Sequence, residues 1–144
     1  MISGAGGSIG SELCRQIINF KPNRLICLDI SEIALYNLEQ EFLNLNFNKG
    51  IYLVADVKNI ARLKNIFNQF KPEIVFHAAA YKHVPLVEQN ISEGIKNNVF
   101  GTLLFVLAAI EHHVSDFILI STDKAVRPTN MMGASKRLAE MILQ

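Results

Sequence analysis

Two stretches of this 144-residue chain gather side chains able to do chemistry. Ser121-Thr122-Asp123-Lys124 sets two hydroxyls, a carboxylate and an ammonium in consecutive positions, directly after the apolar run Phe117 to Ile120. A carboxyl and an amine so close can act as acid and base across one bond, with pKa values set by burial and by each other. The same residues equally suit a capped, solvated turn. The second stretch is Ser3-Gly4-Ala5-Gly6-Gly7-Ser8-Ile9-Gly10. Gly4, Gly7 and Gly10, spaced by three, let the backbone turn tightly, approach a pyrophosphate and pack a new helix on its strand. That helix start offers unpaired N–H groups and a positive dipole end to an anion. A flexible loop would also be glycine-rich, and Asp29 separates the two readings. It ends the apolar run Leu25-Ile26-Cys27-Leu28, nineteen residues after Gly10. A carboxylate at the tip of a second strand is placed to accept hydrogen bonds from an adenosine ribose. The opening reads as a dinucleotide site.

These residues need a scaffold, and the pattern supplies one. Ser8 to Phe20 reads as a helix with Ile9, Leu13 and Ile17 apolar, broken at Lys21-Pro22-Asn23. Arg24 to Asp29 is a strand, and Ser31 caps a helix whose inward stripe is read as Ile33, Leu38, Phe42 and Leu45. The continuous run Ile51 to Ala55, closed by Asp56-Val57, suits a parallel strand covered on both faces. A helix carrying Ile60, Leu63, Phe67 and Phe70 follows, then a strand from Glu73 to His77 that runs into Ala78-Ala79-Ala80-Tyr81-Lys82-His83. A short turn at Pro85 to Glu88 precedes a long helix from Ser92 to His112. The fifth strand is Phe117 to Ile120, and the last helix starts at Met132 with Leu138 and Met141 or Ile142 facing inward.

Such alternation gives an α/β fold, a doubly wound parallel Rossmann sheet in the order 3-2-1-4-5. The glycine loop, the turn 78–83 and Ser121 to Lys124 then meet at the carboxyl ends of the strands. Only two or three residues precede the glycine turn, against about five or six in a typical strand, and the last helical pattern carries no stop signal. The sheet is therefore expected to be truncated at both ends: residues 1–144 form one dinucleotide-binding domain, without a substrate domain.

Composition narrows the classes. Half the residues are hydrophobic, and the formal net charge of +1 comes from charges mixed along the chain. That argues against a nucleic-acid partner. Cys14 and Cys27 lack metal spacing and read as buried, reduced thiols of a cytoplasmic protein. No apolar run is read as long enough to cross a bilayer. His77 reads as a satisfied core histidine, and Asp56 as an adenine-side residue ahead of a plain N-cap. Lys82 and His83 are candidates for substrate phosphate, at even odds with a solvated turn. His112-His113 suits a helix C-terminus, with no metal partner.

Gly4-Ala-Gly-Gly-Ser-Ile-Gly10, His77-Ala-Ala-Ala-Tyr-Lys-His-Val-Pro85, Asn97-Asn98-Val99 with Gly101-Thr102, Ser121-Thr-Asp-Lys-Ala125 with Pro128-Thr-Asn130, and Met132-Gly-Ala-Ser-Lys136 together resemble the CapD-like polysaccharide biosynthesis family. Its members are nucleotide-sugar 4,6-dehydratases of the extended short-chain dehydrogenase superfamily, usually acting on UDP-N-acetylglucosamine. The resemblance implies hydride transfer from sugar C4 to NAD(P), loss of water across C5 and C6, and return of hydride to C6. Thr122 would bond the C4 hydroxyl, Asp123 would protonate the departing C6 hydroxyl, and Lys124 would take the C5 proton. Lys136 would hold the nicotinamide ribose, with Asn98 supporting the site. The cofactor would lie along Gly4, Gly7, Ser8, Ile9, Gly10, Asp29, Asp56, Val57, Ala78, Ala79, Ala80, Asn98 and Lys136, and the UDP-sugar near Lys82 and His83. Asp29 favours NAD, since it repels a 2′-phosphate; NADP stays open. Met132 stands where related enzymes carry a catalytic tyrosine, and its thioether cannot exchange a proton. Met132 thus marks a site whose C4 proton acceptor is left open among Thr122, Asp123 and Lys124 with water. The resemblance further implies a homo-oligomer without a metal, in a parent attached to the cytoplasmic face of a membrane. A 4-epimerase and a non-catalytic dinucleotide-binding module are the alternatives.

Overall fold

The computed structural model describes residues 1–144, and its element order is the expected alternation. β1 (Ile2–Ser3), β2 (Leu25–Asp29), β3 (Gly50–Val54), β4 (Ile74–His77) and β5 (Asp116–Leu119) form one parallel sheet in the order β3-β2-β1-β4-β5. The helices are α1 (Ser8–Ile18), α2 (Glu32–Asn44), α3 (Ile60–Phe70), α4 (Val84–Gln89), α5 (Ile91–Ile95), α6 (Thr102–Glu111) and α7 (Met131–Ile142). Alternation along β2 shows why a parallel strand reads as unbroken apolar sequence. Leu25 and Cys27 pack with Cys14, Leu35, Leu38 and Phe42 from α1 and α2. Ile26 and Leu28 pack on the other face with Leu63, Phe67 and Phe105 from α3 and α6.

Several expected faces are rotated. On α2 the buried residues are Leu35, Leu38 and Phe42, whereas Ile33 and Leu45 are exposed. Leu35, Leu38 and Phe42 follow the three-and-four helical spacing, and Ile33 lies five residues from Leu38, off that face. On α7 the buried residues are Met132, Gly133, Ser135, Lys136 and Ala139, and Leu138 and Met141 face outward. On α1, Ile9 is exposed while Gly10 and Cys14 are buried. β3 is the sheet edge and only half-buried, with Val54 exposed, so it is not covered on both faces.

The region 84–111 departs most from expectation. The turn at Pro85 to Glu88 is helix α4, with proline in its first turn. The long helix contains a π-helical segment, Lys96–Gly101, between α5 and α6. Ile91–Glu111 is by length and composition apolar enough to cross a membrane, contrary to the sequence reading. Its Phe105, Ala108 and Ala109 are buried against the sheet, as in a core helix.

Candidate active site

The glycine turn is shaped by contacts that exclude side chains. Gly4 has φ +66, and a Cβ there would lie 2.6 Å from the Ala79 amide nitrogen at the tip of β4. A Cβ on Gly10 would strike the Gly4 carbonyl, so Gly10 seats α1 directly on the turn. Gly7 is the N-cap of α1 and has no side chain to satisfy the helix start, and the first turn carries no acidic residue. The Ser8, Ile9 and Gly10 amides take no acceptor within the chain. Three orphan donors at the positive end of a helix constitute an anion site.

Gly4 and Gly7 share a cavity of about 210 Å³ with Asp29, Asp56, Val57, Ala78, Ala79 and Ala80. The structure thus brings together eight of the expected cofactor residues, drawn from the tips of β1 to β4. Asp29 is locked: its Oδ2 accepts the Gly6 N–H at 2.8 Å and its Oδ1 the Ser31 N–H at 2.9 Å. Both oxygens keep a lone pair for a ligand. Asp56 accepts the Lys58 N–H at 2.8 Å and pairs with its ammonium at 3.0 Å. Asp56 is not the cap of α3; Asn59 is. Orphan amides, an open Gly7 and a fixed carboxylate match the phosphates and ribose of a dinucleotide.

Asn98 stands behind the turn 78–83. It is buried, and its Oδ1 accepts the Tyr81 N–H at 2.7 Å while its Nδ2 donates to the Tyr81 carbonyl and to Ser135 Oγ, both at 2.9 Å. With both ends engaged, Asn98 fixes the 78–83 turn from behind rather than presenting itself to a ligand. His77 is a satisfied core residue, as read. Thr102 Oγ1 donates to the Asn98 carbonyl at 2.7 Å, so it accepts from His77 Nε2 at 3.0 Å, and His77 Nδ1 accepts the Ser3 hydroxyl at 2.6 Å. Burial pulls the His77 pKa from 6.5 down to about 3.

At the tip of β5, Lys136 is buried, and its Nζ donates to the Ile120 carbonyl at 2.7 Å. Desolvation brings its pKa from 10.5 down to about 8. Met132 is buried one turn away on α7. Thr122 Oγ1 donates to Asp123 Oδ1 at 3.0 Å, and Lys124 Nζ stands 3.8 Å from the same oxygen. The acid expected here would need a raised pKa, and the structure shows the reverse. The Asp123 side chain is 90% exposed, and the Thr122 hydroxyl, then Lys124, hold its carboxyl below the ordinary value. Lys82 and His83 line a separate hollow of about 430 Å³ with Leu86, Asn90 and Glu93, joined to the first through Ala80 and Tyr81.

The sequence reading passed over four residues at these places. Gly6 leaves the space in which Asp29 sits, since a Cβ there would strike Ala34 Cβ and meet Asp29 Oδ2 at 3.2 Å. Tyr81 and Asn97 line the main cavity. Ser135, which donates to the Met132 carbonyl at 2.7 Å, ties α7 to Asn98. All four stand inside the motifs that carry the family resemblance, and Gly6, an extra glycine inside the turn, also carries a signal of its own.

The family model described as polysaccharide biosynthesis protein matches residues 1–144. The chain belongs to this family. It is 49% identical to the capsular polysaccharide biosynthesis protein CapD of Staphylococcus aureus over 146 residues, covering all of this chain and 24% of that protein. It is 34% identical to the UDP-N-acetylglucosamine 4,6-dehydratase (inverting) of Campylobacter jejuni, over 99% of this chain and 41% of the relative. Identity to the UDP-glucose 4-epimerase of Rickettsia typhi is 36%, with the same coverage. Among solved structures, Pen from Bacillus thuringiensis superposes with a TM-score of 0.91 at 33% identity, over 98% of this chain and 42% of that one. DesIV from Streptomyces venezuelae, a dTDP-glucose 4,6-dehydratase solved with NAD and TYD bound, shares the fold at a TM-score of 0.84 and 20% identity, over 98% of this chain and 49% of DesIV. The chain thus spans between a quarter and two fifths of its curated relatives.

Proposed function

We propose that residues 1–144 form the NAD-binding half of a nucleotide-sugar 4,6-dehydratase acting on UDP-N-acetylglucosamine. The observation that carries the reading is the tip of β5. There a hydroxyl, a carboxylate and an amine stand together, just past the strand end that Lys136 grips at Ile120 and two strands from the glycine turn, with β4 between. Removing water across a C–C bond needs an acid and a base on neighbouring carbons; inverting C4 needs only one group that takes and returns the hydroxyl proton, so the Asp123-Lys124 pair would have no clear task in it, which sets the epimerase reading behind. Bound NAD supplies the hydride acceptor and donor.

The chain's own groups have separable tasks. The α1 amides and Gly7 hold pyrophosphate, Asp29 holds ribose, and Lys136, fixed by the Ile120 carbonyl, presents a cation of lowered pKa beside the sugar. Thr122 orients the C4 hydroxyl, Lys124 takes the C5 proton, and Asp123 gives its proton to the departing C6 hydroxyl. Asp123 is exposed and ionised here, so a sugar seated on the β5 tip must strip its water and raise its pKa before it can donate. The free thiols Cys14 and Cys27, 3.7 Å apart and unlinked, accord with a reducing, cytoplasmic setting. The exposed Leu107, Ile110, Leu138 and Met141 accord with a homo-oligomer.

In a protein joining this domain to a sugar-binding half, UDP-N-acetylglucosamine in deuterium oxide should give a 4-keto-6-deoxy sugar labelled at C5. Asp123→Asn or Lys124→Ala should slow that reaction at least ~100-fold. A C4-inverted product without label at C5 would refute the proposal in favour of the epimerase. The 144-residue chain alone should bind NADH without turnover.

A further inference from the structure

The side chains of Thr122, Asp123 and Lys124 bond only to one another. Thr122 Oγ1 donates to Asp123 Oδ1, Lys124 Nζ stands near the same oxygen, and the Lys124 N–H donates to Thr122 Oγ1 at 3.4 Å. Apart from Ala125, residues 121–127 are exposed or half-buried. Nothing inside the segment sets its place relative to Lys136. That placement has to come from contacts made by another element.

Helix α7 makes them along one stripe. Gly133, Lys136 and Glu140 follow at spacings of three and four, hence on one helix face. A Cβ on Gly133 would strike the Lys124 carbonyl, so the helix lies directly against the 3-10 turn Asp123–Ala125. One turn on, Lys136 Nζ holds the Ile120 carbonyl. One turn further, Glu140 Oε1 accepts the Ser121 hydroxyl at 2.5 Å. The contacts at Ser121 and at the Lys124 carbonyl close the trio between them.

Glu140 has a second partner, which separates two roles for its carboxylate. Its Oε2 accepts from Arg137 Nη1 at 2.8 Å. That pair lies on a single helix, half of the Arg137 side chain is exposed, and such surface pairs contribute little. The Ser121 bond instead spans 19 residues of sequence and ties two elements together. The Ser121 hydroxyl, then Arg137, hold the Glu140 carboxyl below the ordinary value, so it accepts as an ionised group. A charge-assisted bond of this kind is short and directional.

We propose that Glu140 is a positioning residue: acting through Ser121, it fixes the exit of β5 on α7 and so holds Thr122, Asp123 and Lys124 in place relative to Lys136. The inference rests on the roles proposed above for that trio. Glu140 acts through the serine, without contact of its own with the reacting atoms. A misplacement of about 1 Å at such groups can cost ~100-fold in rate.

The test compares Ser121→Ala, Glu140→Ala, Glu140→Gln, Arg137→Ala and the Ser121→Ala/Glu140→Ala double variant in the protein that joins this domain to a sugar-binding half. With UDP-N-acetylglucosamine as substrate, reduction of NAD in single turnovers is followed alongside product formation. Ser121→Ala and Glu140→Ala should each lower kcat at least ~10-fold, with KM and NADH affinity within ~2-fold of the parent. The double variant should be no slower than either, since all three lose the same bond. Glu140→Gln should recover most of the rate, because its amide oxygen still accepts from Ser121, and Arg137→Ala should match the parent. Additive losses, an effect on KM alone, or an Arg137→Ala as slow as Glu140→Ala would overturn the proposal. Hydride transfer from C4 opens both elimination and C4 inversion, so the ranking is read whichever product forms. A C4-inverted product with this ranking intact would refute the dehydratase alone. Amide exchange at Ala125, whose N–H donates to the Thr122 carbonyl at 3.1 Å, needs no turnover. It should quicken about 10-fold in Ser121→Ala and Glu140→Ala but not in Arg137→Ala. Unchanged exchange at Ala125 in those two variants would sink the proposal even in a protein without activity.

Discussion

Gly7 and Gly10 illustrate how two glycines of one turn can serve different ends. A Cβ at Gly10 would run into the Gly4 carbonyl and come within 2.9 Å of Ala5 Cα, which are backbone atoms that cannot step aside. Gly10→Ala should therefore cost about 2–3 kcal/mol by overpacking and lower Tm accordingly. A Cβ at Gly7 meets only the Gly4 carbonyl, at 3.3 Å, and its φ of −73 suits any residue. Gly7→Ala should leave unfolding within ~1 kcal/mol of the parent, yet weaken NADH binding about tenfold by crowding the orphan amides. Thermal unfolding and a fluorescence titration of each variant measure the two effects. If both variants lose stability alike, the anion-site reading of Gly7 falls. The spacing of these glycines was legible in the sequence because backbone approach admits no substitute for glycine. The closure of Asp29 onto the Gly6 amide was not, because it depends on two strand tips meeting across the sheet.

Among the elements, the segment 84–111 resisted reading. A π-helical stretch differs from α-helix by one extra residue per turn, and Lys96–Gly101 carries no proline and only a terminal glycine, Gly101, so nothing ahead of its last residue marks the change. Its consequence is placement: Asn97, Asn98 and Gly101 are all buried, and Asn98 reaches both the 78–83 turn and α7. The same distance from local pattern explains the misjudged face of α7, where Lys136 and Ser135 are buried and Leu138 is not. Polar residues point inward there because Ile120 and Asn98 offer partners, which no local periodicity records. Asn98→Ala would leave the Tyr81 amide and carbonyl and the Ser135 hydroxyl without this partner. A loss of about 2–4 kcal/mol is expected, on the scale of buried unpaired polar groups. Urea unfolding measures that loss, and hydrogen exchange at Tyr81 should quicken with it. Unchanged protection at Tyr81 would remove Asn98 from the role assigned to it.

Across the whole molecule, buried bases set the response to pH. Three amines or imidazoles are held below their ordinary values by burial: Lys136 from 10.5 to about 8, the Met1 amine from 8.0 to about 6, and His77 from 6.5 to about 3. In each case the unfolded chain binds a proton more readily than the native one. Stability is thus fully present above the ordinary value and declines as pH falls toward the native one. The opposite limit comes from Cys27, whose ordinary value is 9.0, and Tyr52, at 10.0, both pushed up in the fold. Cys27 is raised by its contact with Cys14 and then by burial, and Tyr52 mainly by burial. Their stability is present below those ordinary values and lost as the unfolded side chains ionise above them. Lys136 still adds stability between pH 8 and 10.5 while Cys27 begins to remove it above 9, so the optimum should fall at about pH 9–10. Between pH 6.5 and 4.5 the decline belongs mainly to His77, because the carboxylates held low begin to matter only below that range. Its slope there should approach about 1.4 kcal/mol per pH unit. Gln in place of His77 can accept from Ser3 and donate to Thr102 without titrating. The His77→Gln chain should therefore unfold with a flatter profile across pH 6.5 to 4.5 while keeping the alkaline limb. Urea unfolding from pH 4.5 to 10 decides it: an optimum at or below pH 7, or parallel acid limbs in the two proteins, would show that the histidine between Ser3 and Thr102 is not what makes this sheet acid-sensitive.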